Sequence, residues 1–267
     1  MNILVCIKQV PDIEKIKVDA AKRVMIMDGV PNIVNQFDTY ALETAVRIKD
    51  ADPTTKVVVV TMGPAQTKDA LKNCLSVGAD KAYMVSDDVL KDSDTLATSY
   101  VLSAAAKAIE TREGAAFDLI MCGKQAADGD TGHVGPQLAE YLGYPQITAA
   151  TEITVDGGQV KARRQTEEGA EVIGASFPAV VTMSQTAYEP RYASVKTKMA
   201  ANRAEIPVLT AADLGLDTAC VGLAGSPSKV ISTFVPERKK GGIKIQEETG
   251  ELSAEKLTAL LSDAGRI

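Results

Sequence analysis

In the first half of the chain the apolar positions fall into short unbroken runs separated by amphipathic stretches. Ile3–Ile7 is such a run and predicts a strand buried on both faces. After a loop from Pro11 to Asn35, Asp38 is placed to N-cap a helix through about Ala51, with Ala41, Leu42, Ala45, Val46 and Ile48 on its apolar face. Lys56–Thr61 predicts a second strand, ended by Met62-Gly-Pro. Gln66–Val77 predicts a second helix with Gly78 as its C-cap. Lys81–Val85 predicts a third strand, and Asp94 or Ser93 caps a long helix from Thr95 to about Thr111. Asp118–Cys122 predicts a fourth strand, and a polar, Gly-rich loop leads from it into a helix ending at Leu142.

Strands alternating with helices predict an α/β fold: a doubly wound, mostly parallel sheet with right-handed crossovers. Ligands of such sheets bind at the carboxyl ends of the strands, where the strand order reverses. The loops to search are therefore 8–12, 35–38, 62–66, 86–95 and 123–135. The later pattern differs. Glu152–Val155, Val160–Arg164 and Glu171–Ala175 read as short strands joined by Gly157-Gly158 and Glu168-Gly169 turns, with Ala179–Met183 as a further buried strand. Residues 188–205 are rich in charge and show little periodicity. Gly225-Ser-Pro and Pro236-Glu-Arg-Lys-Lys-Gly-Gly read as extended and exposed, before a short helix over Ser253–Leu261. A tail so poor in apolar surface is expected to pack on another chain.

Composition narrows the chemistry. The 267 residues, 45% apolar and 24% charged, suit one large domain with an appendage. A net charge of -6 argues against broad binding to nucleic-acid phosphates. No run reaches the roughly 18 apolar residues of a membrane span. The start lacks a signal-peptide pattern, so a cytoplasmic location is expected. Cysteines 6, 74, 122 and 220 include no CxxC pair, and Cys6 and Cys122 read as reduced core thiols. With one His and no Trp, a His-rich metal site is excluded, and any redox work needs a bound cofactor.

The densest chemical signal is Gly123-Lys-Gln-Ala-Ala-Asp-Gly-Asp-Thr-Gly-His-Val-Gly-Pro-Gln137. Its glycines let backbone approach a ligand, and amides at the helix start favour a phosphate. Thr131 and Gln125 add neutral hydrogen bonds. The loop is neither a Walker A motif nor G-x-G-x-x-G, and it fails as an EF-hand. Asp128 and Asp130 alone make a weak metal site; capping the helix, or bonding an amide or ribose, suits them better. Three further clusters face the same sheet edge: Asn35-Gln-Phe-Asp38, Thr61-Met-Gly-Pro64 and Asp92-Ser-Asp-Thr-Leu-Ala-Thr98. The first reads as caps or as an adenine or ribose contact. In the second, Gly63 lets a ring lie against backbone. An ATP-cleaving pyrophosphatase-like reading fails, because Lys8-Gln-Val-Pro-Asp12 stands where its phosphate loop would be.

These blocks together resemble the β subunit of electron-transferring flavoproteins. Ala162–Thr182 matches the family signature through Ala162, Arg164, Glu167-Glu168-Gly169, Glu171, Ile173, Pro178, Val180-Val181 and Thr182. Val5–Pro11, Met62–Gln66, Gly78–Asp80, Gly123–Ala126 and Glu189–Tyr192 are similar to further family blocks. The resemblance implies an adenine-nucleotide-binding α/β domain over 1–184, a recognition loop over 185–205, and an arm over 206–267 that packs on an α subunit carrying FAD. It implies a subunit without stand-alone catalysis. Ordinary members bind AMP in the β subunit. A bifurcating branch binds FAD there, which takes a hydride from NADH and splits electrons between the α-subunit FAD and a low-potential ferredoxin or flavodoxin. The segment Asp128-Gly-Asp-Thr-Gly-His-Val-Gly-Pro136 resembles that branch rather than the ordinary Asp-Asp-Asp-Cys-Asn-Gln-Thr-Gly, with His133 standing where the branch has Gln. Gly225–Lys229 with Phe234 resembles the same branch.

By this resemblance the pocket comprises Cys6 through its backbone, Asn35, Gln36, Phe37, Asp38, Met62, Gly123, Lys124, Gln125, Ala126, Ala127, Asp128, Gly129, Asp130, Thr131, Gly132, His133 and Val134, joined by Thr95 and Thr98 when FAD is held. The loop from Gly123 cradles phosphates, while Asn35–Asp38 and Cys6 hold the adenosine end. Tyr188–Ala200 matches the segment that docks on acyl-CoA dehydrogenases, with Arg191, Tyr192 and Val195 as partner-facing residues. Arg164 and Arg191 are expected near the α-subunit flavin or the partner.

Overall fold

The computed structural model describes all residues except 20, 21, 23 and 237–240. Those last four fall within the predicted extended segment after Pro236 and lie outside the described residues. The elements in chain order are β1 (Asn2–Cys6), β2 (Gln9–Pro11), β3 (Lys17–Asp19), β4 (Val24–Ile26), β5 (Asn32–Val34), α1 (Gln36–Ala51), β6 (Lys56–Met62), α2 (Lys68–Ser76), β7 (Lys81–Val85), α3 (Thr95–Glu113), β8 (Leu119–Gly123) and α4 (Val134–Leu142). They continue with β9 (Gln146–Asp156), β10 (Gln159–Thr166), β11 (Gly169–Ser176), β12 (Ala179–Met183), α5 (Val195–Arg203), β13 (Val208–Leu209) and α6 (Gly250–Asp263).

Among the described residues nine strands form one sheet in the order β11-β10-β9-β12-β8-β1-β6-β7-β13. β1 lies between β6 and β8 and is parallel to both. The chain steps outward from β1 to β6 and β7, then returns to β8 on the other side of β1, so the order reverses between β1 and β8. This is the doubly wound sheet expected from the alternating pattern. Both faces are covered, which explains the unbroken apolar runs. Ile3, Val5, Val57 and Val59 meet Ala41, Leu42 and Ala45 of α1 and Leu71 of α2 on one face. Leu4, Val58, Val60 and Ile120 meet Val101, Ala105 and Ile109 of α3 and Leu138 of α4 on the other. Each fully buried Val, Leu or Ile contributes about 1.5–3 kcal/mol, so the middle strands anchor the fold.

Several expectations need correction. Asp38 is not the N-cap of α1: the helix starts at Gln36, Asn35 holds the cap position, and the Asp38 carboxylate turns inward. The stretch from Pro11 to Asn35 is not a plain loop, because β2 pairs with β5 and β3 with β4. The second helix proper begins at Lys68, after a single 3-10 turn over Ala65–Thr67. Glu152–Val155 belongs to the longer β9, which runs parallel to β12 in its first part and antiparallel to β10 thereafter. Its change of partner coincides with Ala149 at φ 56° and a register shift between Val181 and Met183. Residues 188–205 contain α5, capped by Ser194. The C-terminal helix extends beyond Ser253–Leu261 at both ends.

The described chain divides into two compact units, Met1–Lys17 with Ile26–Ser232, and Val18–Met25 with Thr233–Ile267. In the second, Thr249 caps α6 by accepting from Leu252 N, and Lys256 pairs with Glu247 at 2.5 Å.

Candidate functional site

The reversal between β1 and β8 opens a crevice at their carboxyl ends, where this class of sheet takes its ligands. The chain leaving β1 supplies Ile7–Gln9 and the chain leaving β8 supplies Lys124–His133. Between them sits the start of α1. Asp38 accepts from Lys8 N at 2.7 Å on one side and from Gly123 N at 3.0 Å on the other. Asn35 donates to Asp38 Oδ1 at 3.0 Å and to Gln125 O at 2.8 Å, and its Oδ1 accepts from Ala127 N at 3.0 Å. Both side chains are nearly sealed from solvent, Asn35 at 1% and Asp38 at 6% exposure. Their polar atoms therefore join protein to protein. Gly123 is required by this contact, because a Cβ there would lie 2.2 Å from Asp38 Oδ1. Burial pushes the Asp38 carboxyl up to about 7, against the hydrogen bonds from Asn35, Lys8 and Gly123 that lower it.

The rest of the loop is fixed by its own contacts. Lys8 Nζ reaches across the crevice mouth to both Asp128 oxygens at 2.7 Å. Gln125 donates to Asp130, whose φ of 54° reverses the chain together with Gly132 at φ 68°. Ala126 O takes the N–H groups of Gly129 and Asp130 at 3.2 and 2.8 Å. The next amides are different. Those of Thr131, Gly132, His133 and Val134 donate to no protein acceptor among the described residues, and His133, at the cap position of α4, makes no side-chain cap bond. Free N–H groups at the head of a helix favour an anion. Within this crevice the arrangement can bind a phosphate-bearing ligand.

The other predicted residues fall around this centre. Cys6 and Cys122 end β1 and β8 and point to the same face of the sheet. A hydrogen bond from the Cys122 S–H to Cys6, together with burial, holds the Cys122 thiol well above its ordinary value and hence neutral. Met62 ends β6 and packs on the same cluster. Gly63 does not offer open space, since the methyl of Thr67 lies 2.6 Å from its Cβ position. Thr95 and Thr98 lie on the first turn of α3. Asp94 caps that turn through Leu96 N at 3.0 Å and Ala97 N at 3.1 Å. Gln36 and Phe37 open α1 beside Asp38.

Two contact sets were not foreseen in the sequence. Asp94 also binds the later chain: its N–H donates to Ser226 Oγ at 2.8 Å and its Oδ2 accepts from Ser228 N at 3.0 Å. Only the serines of Gly225-Ser-Pro-Ser228 hinted at this. On the far side of α1, Glu43 accepts from Arg191 Nε at 2.8 Å, Nη2 at 3.1 Å and backbone N at 3.1 Å, while Asp50 accepts from Nη2 at 2.7 Å. Arg47 lies 4.4 Å over the Tyr188 ring, and Tyr188 Oη meets Thr44 Oγ at 2.5 Å. Hydrogen bonds that Arg191 donates to Glu43 and Asp50 hold its guanidinium firmly charged. Arg191 thus faces α1, while Tyr192 and Val195 are 98% and 77% exposed. Arg164 lies on β10, 3.6 Å from Glu171, and lines a cavity together with Thr151, Gly169 and Tyr188.

Comparison with known proteins decides the family. Residues 22–214 match the electron transfer flavoprotein domain. The chain is 48% identical over 249 residues to an electron transfer flavoprotein subunit beta of Megasphaera elsdenii, covering 93% of this chain and 92% of the relative. The chain belongs to the electron transfer flavoprotein β-subunit family. It is also 40% identical over 263 residues to the caffeyl-CoA reductase-Etf complex subunit CarD of Acetobacterium woodii, covering 98% of each. Protein FixA of Azotobacter vinelandii is 42% identical over 241 residues, covering 89% of this chain and 85% of that one. An electron transfer flavoprotein β subunit pairs with an α subunit, works in electron transfer, and belongs to a family that binds flavin or AMP. No helix among the described residues is long and apolar enough to cross a membrane.

Proposed function

We propose that this β subunit holds FAD in the crevice between the loops after β1 and β8, and that the complex with its α subunit bifurcates electrons. The observation that carries this reading is the run of free amides from Thr131 to Val134, within a loop whose Gly129 and Gly132 lack side chains. That donor set fits a diphosphate: the amides bind charge, and no atom stands within 4 Å of where a Cβ of Gly129 would be. Cys6, Asn35–Asp38 and Met62 would border the adenosine, and Thr95 and Thr98 the distal ring. When bound, FAD supplies hydride acceptance from NADH and one-electron transfer to the α-subunit flavin and to a ferredoxin or flavodoxin.

The chain's own contribution is to bind, orient and exclude water. Lys8 and Asp128 close the mouth by neutralising each other, which leaves the amides as the attraction for phosphate. Tyr192, in the segment before α5, and Val195, the first residue of α5, form an apolar docking point for an acyl-CoA dehydrogenase or a flavoprotein of that class. The similarity to a subunit of a caffeyl-CoA reductase-Etf complex supports a CoA-ester oxidoreductase as partner. The arm over 206–267 packs on the α subunit, and the complex works in the cytoplasm. Counting cofactors in the purified αβ complex tests the reading. Two FAD per pair, both reduced by NADH, are expected. One FAD with one AMP would replace it by the ordinary, non-bifurcating role, and a crevice holding neither would sink both.

A further inference from the structure

The residues of Asn35-Gln-Phe-Asp38 do not all serve a ligand in the same way. We infer that Asp38 is a positioning residue that sets the width of the nucleotide crevice, by tying the backbone after β1 to the backbone after β8 through one carboxylate. The inference rests on the reading that this crevice holds a nucleotide.

β1 and β8 are adjacent strands, but their hydrogen-bonded register ends before the loops begin. Beyond Cys6 and Gly123 no ladder holds the two chains together, and the strands' twist would carry them apart. Asp38 stands in that gap. One oxygen takes Lys8 N at 2.7 Å and the other takes Gly123 N at 3.0 Å, so the two loops are held one carboxylate apart. Asn35 extends the tie three residues further, to Gln125 O and Ala127 N. The free amides follow from this registration: their direction is set by where Gln125 and Ala127 are held, since Ala126 O in turn fixes Gly129 and Asp130. The side chain so acts through the backbone that touches the ligand. Gly123 provides independent support, because the strand end has no room for any side chain while Asp38 keeps its place.

Three variants of the αβ complex test the inference by FAD and AMP retained, measured by chromatography of acid extracts after timed incubation and gel filtration. Asp38→Asn turns one acceptor into a donor facing a backbone N–H. Gly123→Ala pushes on the carboxylate and on the first turn of α1 at Phe37 and Asp38 without changing the charge. Both are expected to release the crevice nucleotide at least tenfold faster at temperatures well below unfolding, with the α-subunit FAD retained. Asn35→Ala, a milder break of the same tie, keeps the test alive should either fail to assemble, and is expected to give a smaller rise. As a control, Ile109→Val in α3 lowers the unfolding midpoint without touching the tie, and is expected to leave release unchanged. Unchanged release in the tie variants, or equal acceleration by Ile109→Val, would overturn the inference while leaving the nucleotide reading intact. A wild-type complex without crevice nucleotide would overturn both.

Discussion

Two loops of this chain lead into helices of nine residues each, and each is anchored by a buried carboxylate on α1. The anchors differ in kind. Asp38 is held by neutral donors, two backbone N–H groups and the Asn35 amide. Glu43 is held by the charged guanidinium of Arg191, with Arg47 3.9 Å away. The loops differ correspondingly in what they leave free. Before α4 the backbone is exposed, with unclaimed amides and no side-chain cap. Before α5, Ser194 accepts from Thr197 N at 3.1 Å, and side chains are exposed instead. A region that offers backbone donors suits a small anion, while one that offers apolar side chains on a pinned base suits a protein. The lesson is that the anchor's chemistry goes with what each loop leaves free: neutral donors hold Asp38 where backbone amides stay unclaimed, and a guanidinium holds Glu43 where side chains stand exposed.

The largest expected effect comes from removing the uncompensated charge. Asp38 titrates at about 7 in the folded chain against an ordinary value of 3.8. Between those values the folded protein binds a proton more tightly than the unfolded chain, so unfolding free energy falls as pH rises. The stabilisation is fully present below pH about 4 and gone above about 7. The wild-type complex is expected to lose on the order of a few kcal/mol through this group over that window. Asp38→Asn should remove that slope. Chemical denaturation at several pH values checks it. An unchanged slope would mean that the Asp38 carboxylate bears no such burial cost, and the contrast between an anchor held by neutral donors and one held by a guanidinium would fail.

Next in size is Gly135→Ala. Gly135 opens α4, and an added Cβ would lie 2.3 Å from the Thr182 methyl of β12. Overpacking of this kind costs about 1–3 kcal/mol. Because it shifts α4, nucleotide retention should fall with stability. The corresponding change before α5 would cost little, since that helix is exposed along most of its length. Thermal unfolding with cofactor counting separates the two.

Glu43→Gln comes third. It keeps an acceptor but removes the charge that orients Arg191, an expected loss of about 1–2 kcal/mol held locally in the segment. Trypsin cleavage after Arg191, Lys196 and Lys198 should speed up about tenfold, with crevice nucleotide retained. Loss of nucleotide in this variant would show that the two loops are coupled through α1 rather than independently anchored.

Most of the sheet was legible in the sequence because both of its faces are buried, which writes each central strand as an apolar run. The close packing at the two ends of the loop was legible for a related reason: Gly123 and Gly135 have no room for a side chain, and that composition shows. What could not be read were partnerships across the chain. Asp38 looked like a cap because Asp before a helix usually is one; its true partners, Lys8 N and Gly123 N, lie 30 and 85 residues away in the chain. Helix α5 was hidden because a helix with a single buried residue, Ala201, carries no apolar stripe. Arg191 was expected to face a partner together with Tyr192; Tyr192 is exposed, but Arg191 turns onto Glu43 and Asp50 of α1, which only the fold reveals.

The smallest expected effect on stability sharpens the comparison most. Val195 and Met199 lie one helical turn apart on α5, both exposed. Truncating either to Ala removes little buried area, so the unfolding midpoint should hold within about 0.5 kcal/mol. If this face serves a protein partner, the same truncations remove an anchor, and the KM for the accepting acyl-CoA dehydrogenase should rise several-fold with kcat nearly unchanged. Lys196 and Lys198 on the same helix would act differently, by steering the encounter, so their replacement by Gln should lower the association rate at low salt and matter little at high salt. A Val195→Ala variant with unaltered KM would place the docking point elsewhere, and would leave α5 with exposed apolar residues that serve no partner of this class.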